Sequence, residues 1–270
     1  MPTNNSISVM TWNIYLGADL TPLTLATQES LPQTVTEIFR QVLATNFKVR
    51  SKAIAASISN YEPDIIALQD IAKWKIIPPN SKSIEINFLA ILLEELKYLG
   101  LYYEPIVINN NFTGELPSSL GNSISVLNRD VILVNKDSDI CVIDNKRGRF
   151  NNNMNIDIGG VQYISLRGWE YIDICFNYIK FRIINTHLEE YSDSVNIAQV
   201  NEIIDGPANI NIPVILLGSF NSDINGITYN ILAEAGFKDT WILGGLGNGF
   251  TCYQDNDLLN AYSTLNKRED

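Results

Sequence analysis

The sequence predicts an α/β protein in which two packed sheets are flanked by helices. Short apolar runs of strand length alternate with a few segments of helical spacing, and several of the strands follow one another across brief polar turns. The 270 residues are 46% hydrophobic, which is enough for one large core. Because no internal repeat or linker divides the chain, we expect residues 1–270 to form a single domain.

The first half of the chain contains three segments of helical spacing. Strands are expected at 7–14 and 65–70, and helices at 34–44 and 49–60, the second helix being broken by Pro63. A third helix carries an apolar stripe from Phe88 to Leu99, with Ser83 as its predicted cap and Gly100 at its end. Further strands are predicted at 101–108, 130–134 and 140–143.

The second half is mostly strands. They are predicted at 162–166, 170–176 and 181–186, with a short turn at Asn177 and Tyr178. A helix capped by Ser192 or Asp193 is closed by Gly206, and another covers 228–235. Between these helices, the branched apolar residues 214–217 predict a strand that is buried on both faces.

Polar side chains stand at the ends of four of these strands. The strand at 214–217 ends in Ser219 and Asn221, and three others end in Asn13, Asp70 and His187, the only histidine of the chain. We therefore expect one shared site in a cleft at these strand ends.

Composition limits the choice of partner and compartment. The net charge of −11 gives no overall attraction for nucleic acid or an anionic membrane, so nucleic acid is disfavoured as a partner. The one dense basic group, between Lys136 and Arg149, is interrupted by acidic residues and is expected to be a solvated loop. Cys141, Cys175 and Cys252 are too widely spaced to indicate a zinc site or a disulfide framework.

No apolar run reaches the length of a membrane span, and residues 1–6 lack the features of a signal peptide. A soluble, cytoplasmic protein is expected, although a secreted protein whose signal had been removed would have the same sequence.

Short motifs at the four strand ends carry a resemblance to a known family. Their order resembles that of the endonuclease/exonuclease/phosphatase (DNase-I-like) superfamily. The motifs are Thr11-Trp12-Asn13, Leu68-Gln69-Asp70, Asn185-Thr186-His187-Leu188 and Leu217-Gly218-Ser219-Phe220-Asn221. Residues 15–20, 167–169 and 251–258 resemble a bacterial subgroup that carries a Tyr-Leu-Gly-Ala-Asp-Leu segment. The resemblance implies a four-layer α/β/β/α sandwich of two mainly antiparallel sheets and a metal-dependent phosphoester hydrolase.

The resemblance also implies roles for individual residues. Asp70 would be the main ligand of Mg²⁺ or Mn²⁺, with Asn13 beside it, although Asp70 could be a turn carboxylate and Asn13 a turn residue. His187 would donate a hydrogen bond to a phosphoryl oxygen, or else be a structural histidine. Asn221 would assist, unless it forms an Asx-turn over residues 220–223.

The chain departs from the family pattern at three places. Asp70 stands where the pattern has Glu, and is one methylene shorter. Ser219 stands where the pattern has an Asp that orients the attacking water, and a hydroxyl has neither the charge nor the basicity to replace it. Asp223, four residues further along the chain, could supply a carboxylate in place of the one that Ser219 lacks. The closing Ser-Asp-His, with its general base, and the two strands around it are not found.

Two classes of function are therefore expected. One is a divalent-metal phosphodiesterase or phosphatase, acting on an unspecified phosphoester with weak or lost activity, and the other is a catalytically silent relative that keeps the cleft for binding. A third class, an unrelated binding sandwich, would require the order of the motifs to be accidental. An open edge in the second sheet would favour pairing with a partner or a second copy.

Overall fold

Two β-sheets pack face to face in the computed structural model, which describes residues 6–251 and 254–260. The first sheet contains β1 (Val9–Asn13), β2 (Ile65–Gln69), β3 (Lys73–Ile77), β4 (Ile84–Asn87), β5 (Tyr103–Pro117) and β6 (Ser123–Asn135). The second contains β7 (Cys141–Arg149), β10 (Gly168–Phe176), β11 (Ile179–His187) and β12 (Val214–Ser219). Strands β8 (Met154–Ile158) and β9 (Val161–Ser165) form a separate hairpin.

The strand order is β1-β2-β6-β3-β4 in the first sheet, where β5 also pairs with β6, and β12-β11-β10-β7 in the second. Only β1 with β2 and β11 with β12 are parallel, and the other pairs are antiparallel. The parallel pairs matter for function because parallel strands end at the same edge of a sheet.

Helices cover the outer face of each sheet. The helices of the described residues are α1 (Leu31–Ala44), α2 (Phe47–Tyr61), α3 (Phe88–Tyr98), α4 (Asp193–Asp205), α5 (Ile227–Glu234) and α6 (Thr240–Gly244), with a 3₁₀ helix at Thr21–Leu25, and the first five of them form the outer layers. The apolar stripes of α1, α2 and α3 pack on the first sheet, and α4 and α5 pack on the second. The predicted four-layer sandwich is confirmed.

The period of two along β2 explains how the layers hold together. Ile65 and Ala67 point into the core between the sheets, whereas Ile66 and Leu68 point into the core under the helices, and all four are fully buried. β12 follows the same alternation, but its residues are mostly half-buried because it pairs only with β11 among the described strands. Its unpaired edge leaves association with a partner or a second copy as a prediction.

Several local predictions are confirmed. Ser192 caps α4 by accepting a hydrogen bond from the Val195 amide, and Gly206 follows the last turn of that helix. Asn177 and Tyr178 both have positive φ, as a two-residue hairpin turn of the primed type requires.

Other local predictions are wrong. Asn87 rather than Ser83 caps α3, because residues 84–87 form the edge strand β4. Most of the mixed charge run belongs to β7, where the antiparallel pairing with β10 holds Lys146 and Arg147 in a strand instead of a loop. Cys252 and the residues after Asn260, where the chain departs from the family's closing pattern, lie outside the described residues.

Candidate active site

Both parallel strand pairs end at the same side of the sandwich. Asn13 is opposite Gln69 at the end of the first pair, and His187 is opposite Ser219 at the end of the second. A cavity of about 560 Å³ opens there. Of the predicted site residues, Asn13, Asp70, His187 and Asn221 line this cavity, and Ser219 lies just behind it.

Asp70 follows β2 in the left-handed conformation, with a φ of 59°, which Asp tolerates better than most residues. Its amide donates to Asp130 Oδ1 over 3.2 Å, and its Oδ1 accepts from Asn128 Nδ2 over 2.7 Å. The residue is 6% exposed. These bonds fix the carboxylate in a single direction, toward the second sheet.

His187 completes the contact between the two sheets. Its Nδ1 lies 3.4 Å from Asp70 Oδ1 and makes no hydrogen bond with any described residue. Burial alone would raise the pKa of Asp70, but His187, Arg167 and the bond from Asn128 together hold it below its ordinary value. Asp70 is therefore an ionised carboxylate at neutral pH.

The asparagines and Ser219 are tied to the backbone around the cavity. Asn13 Oδ1 accepts from the Tyr15 amide over 2.9 Å, which is the turn role expected as one alternative, while the side chain remains exposed to the cavity. Asn221 has a φ of 48° and donates through Nδ2 to the Leu188 carbonyl over 2.9 Å. The Ser219 hydroxyl donates to Asn221 Oδ1 over 3.5 Å.

The bonds of Asn221 and the position of Asp223 bear on two of the predictions. The side chain of Asn221 bonds to Leu188 and Ser219. Asp223 is exposed, accepts from Gly226 through its backbone and lies outside the cavity lining.

Arg167 is the residue that the sequence predictions omitted from the site. It lines the cavity and is 6% exposed, yet neither Nε nor Nη1 bonds to a described residue. The only sequence signal was its place in Arg167-Gly168-Trp169, directly before β10. A Cβ on Gly168 would overlap the Gly148 carbonyl, so glycine lets β10 approach β7 closely where Arg167 enters the cavity.

Two more acids lie buried beneath the site. Asp130 accepts from the Asp70 amide and from Asn111 Nδ2, and Glu170 Oε1 accepts from Asn185 Nδ2 over 2.6 Å. Burial raises the pKa of both groups, and of Glu170 well above its ordinary value because the Asp130 charge adds to the effect. Burial therefore favours the protonated, uncharged form of Glu170.

A buried polar chain connects the sheets behind these groups. Gln69 Nε2 donates to Asn185 Oδ1 over 2.7 Å, and Asn185 Nδ2 donates on to Glu170 and to the Leu68 carbonyl. Asn185, which stands in one of the motifs, is thus completely buried and serves as a connection between sheets.

Comparison with known proteins supports this description of the fold. No family model and no curated protein matches the sequence. Solved structures do match, among them an endonuclease/exonuclease/phosphatase family protein from Leptotrichia buccalis, with 18% identity and a TM-score of 0.58 over 98% of this chain and 86% of that one. The chain has the DNase-I-like fold.

Two further structures share this fold. Mannosyl-6-phosphatase Bt3783 of Bacteroides thetaiotaomicron matches with 14% identity and a TM-score of 0.53, over 88% of this chain and 74% of that one. The human Nocturnin catalytic domain, solved with bound sulfate, matches with 16% identity and a TM-score of 0.50, over 88% of this chain and 73% of that one.

In the described part of this chain, no helix is both long and apolar enough to cross a membrane.

The cavity offers few ligands to a metal ion. Within residues 6–251 and 254–260, no group of three or more His, Cys, Asp or Glu side chains is placed to hold one. Asp70 and Asn13 nevertheless supply one ionised carboxylate and one amide oxygen at adjacent strand ends. Mg²⁺ is commonly held by one or two carboxylates together with waters and substrate phosphate, so this donor set fits a Mg²⁺ or Mn²⁺ ion held partly by the substrate.

Proposed function

We propose that the chain is a divalent-metal-dependent phosphoester hydrolase of the phosphodiesterase or phosphatase type, with weak turnover. The observation that carries the proposal is the meeting of three groups in one cavity: the ionised Asp70, the ring of His187 and the guanidinium of Arg167, whose Nε and Nη1 have no partner among the described residues. The two N–H donors suit an anionic phosphate, and the carboxylate suits the metal cation that binds with it.

Each residue then has a distinct task. Arg167 and His187 donate to phosphoryl oxygens, and these bonds strengthen as negative charge develops on them. Asp70 and Asn13 hold the metal ion, which when bound neutralises phosphate charge and acts as a Lewis acid. Asn221 fixes the loop after β12 through its bond to Leu188, so that the wall of the cavity next to Ser219 stays in place.

Ser219 explains why turnover would be weak. Its hydroxyl cannot accept a proton from water at neutral pH, and it donates its own hydrogen to Asn221 Oδ1. In the family pattern an Asp at this position orients the attacking water, and proton transfer by a positioned side chain typically contributes about 10²- to 10⁴-fold to the rate. The same observation favours a second candidate, a catalytically silent relative that binds a phosphoester without cleaving it.

Hydrolysis of a generic phosphodiester, bis(p-nitrophenyl) phosphate, tests the proposal. We would compare the wild type with Asp70→Asn and Ser219→Asp in Mg²⁺, in Mn²⁺ and with a chelator. Asp137→Asn is the matched control, because Asp137 is exposed and lies outside the cavity. Slow hydrolysis that requires metal, falls at least about 100-fold in Asp70→Asn and rises in Ser219→Asp would support the proposal.

Two results would count against it. Activity that survives both the chelator and Asp70→Asn would show that the hydrolysis does not come from this site. No activity in any variant, combined with binding of inorganic phosphate that Asp70→Asn or Arg167→Met alters, would favour the binding role.

A further inference from the structure

The cavity has a polar end and a much larger apolar end. The polar end holds Asp70, His187, Arg167 and Glu190, and Arg167 is the only Lys or Arg among the described residues that line the cavity. Leucine, isoleucine, valine, methionine and aromatic side chains form most of the remaining wall. We propose that this cavity takes an amphiphilic phosphoester with a single hydrocarbon chain, the phosphate at Arg167 and the chain in the apolar end. This inference rests on the proposed function, because it names the substrate class of the same site.

The floor of the apolar end is the first sheet. Leu116, Ile124 and Val126 of the long β5–β6 pair line it, and Trp74 of β3 lies beside them with its indole nitrogen already bonded to the Leu16 carbonyl over 2.8 Å. Because that donor is occupied, the indole presents only apolar surface. An apolar group is the ligand that gains most from such a wall.

The β8–β9 hairpin forms the roof. Met154, Ile156 and Tyr163 line the cavity, and Ile156 pairs with Tyr163 across the hairpin. β8 packs against the 3₁₀ helix Thr21–Leu25, which also contributes to the cavity wall. At the tip, a Cβ on Gly159 would lie 3.0 Å from Leu31 Cδ2, so the hairpin rests on the start of α1.

The base of the hairpin meets the polar end. The Arg167 amide donates to Asn153 Oδ1 over 2.9 Å, and these two residues flank β8 and β9. The inward side chains of the hairpin therefore run from the guanidinium toward the tip. A ligand whose phosphate is bound at Arg167 has its chain directed under this row of side chains.

Size and charge restrict the ligand further. A volume of about 560 Å³ is that of a pocket for one small molecule. A nucleic-acid strand needs a row of cations along its backbone, and this cavity has one guanidinium. A single-chain amphiphile matches both the volume and the separation of polar and apolar walls.

Binding of n-alkylphosphonates, which cannot be hydrolysed at the P–C bond, tests the inference. We would measure by calorimetry the affinity of butyl-, hexyl- and octylphosphonate below their micelle concentrations, with Mg²⁺ present. Burial of each methylene should tighten binding up to about fourfold, and butyl and octyl differ by four methylenes, so the gain between them should reach up to about 250-fold. Ile156→Asn should remove most of this gain, while Val161→Asn, exposed on the same hairpin and outside the cavity, should keep it.

Affinity that is the same for all three chain lengths would overturn the inference, whatever the variants do. A gain that Ile156→Asn leaves intact, in a variant whose circular dichroism is native, would also overturn it, because the chain would then bind elsewhere. A chain-length gain in a protein that hydrolyses no ester would instead support the apolar cavity and refute the proposed hydrolase. Metal-dependent hydrolysis without any gain in affinity with chain length would support the proposed hydrolase and refute the apolar binding site.

Discussion

Two arginines are buried to almost the same extent, but only one of them is paired. Arg182, 8% exposed, donates to both oxygens of Asp173 over 2.7 Å, donates to the Pro207 carbonyl and stacks over Tyr171. Arg167, 6% exposed, has two nitrogens without a partner among the described residues. A buried donor without a partner costs about 1–3 kcal/mol. An anion that accepts hydrogen bonds from Arg167 would remove this cost, which favours anion binding there.

Replacing each arginine by methionine should therefore give opposite results. Arg182→Met leaves Asp173 without its partner and should lower the free energy of unfolding by about 3–5 kcal/mol. Arg167→Met removes unpaired donors together with a favourable charge near Asp70, and should change the free energy of unfolding by less than about 1 kcal/mol or raise it. Urea unfolding followed by circular dichroism measures both.

Binding of inorganic phosphate, measured by calorimetry, gives the second half of the test. Hydrogen bonds to charged groups contribute about 1.5–3 kcal/mol each, so losing two of them in Arg167→Met should weaken binding at least about 100-fold. Arg182→Met should bind normally wherever it is folded. If Arg167→Met lost as much stability as Arg182→Met and still bound phosphate like the wild type, the assignment of Arg167 to the site would be wrong.

Three further substitutions test other parts of the structure. Because folding raises the pKa of Glu170, the free energy of unfolding of the wild type should fall by up to about 1.4 kcal/mol per pH unit above pH 4.5. In urea unfolding, the free energy of unfolding of Glu170→Gln should therefore increase relative to that of the wild type from pH 4.5 to 7. A difference that does not change with pH would contradict this. Gly218→Ala should cost more than about 2 kcal/mol in thermal unfolding, because its Cβ would overlap the Thr186 carbonyl, whereas Gly114→Ala, with open space, should cost under about 1 kcal/mol. Tyr178→Gly should raise the melting temperature by relieving a φ of 65° in an exposed turn, and a lower melting temperature would refute that account.

The layers of the fold could be predicted because burial leaves a periodic signal. Residues 65–68 are apolar on both faces, as expected for a strand that lies between two hydrophobic cores. Helices α1 and α3 carry clear apolar stripes. Strands β3, β4 and β8 give no clear signal in the sequence, because each has only four or five residues and mixes charged or polar residues with apolar ones. Ser83 is the wrong cap because nothing in the local sequence shows that residues 84–87 pair with β3, which delays the start of the helix until after Asn87.

The site could be predicted only as far as the strand ends show it. Asn13, Asp70, His187 and Asn221 do meet in one cavity, and their metal-binding or catalytic roles stay predictions. Arg167 could not be assigned, because whether a guanidinium is paired depends on side chains distant in sequence. The apolar end of the cavity was equally hidden, since its walls come from the first sheet, the hairpin and the 3₁₀ helix, which only the tertiary fold brings together.

The buried polar chain behind the site explains how residues from two different sheets are held together in one site. An apolar core between sheets is tolerant of small shifts, since hydrophobic contacts are not directional. Asp70 and His187 belong to different sheets, and a shift of 1 Å would separate them. Gln69 directly precedes Asp70, and Asn185 lies two residues before His187. Their bond of 2.7 Å therefore holds the two strand ends in register, and Glu170, whose pKa is raised by burial, accepts the next hydrogen bond. A polar connection in this place lowers stability relative to an apolar one, but it fixes the distance between the carboxylate and the imidazole on which the proposed chemistry depends.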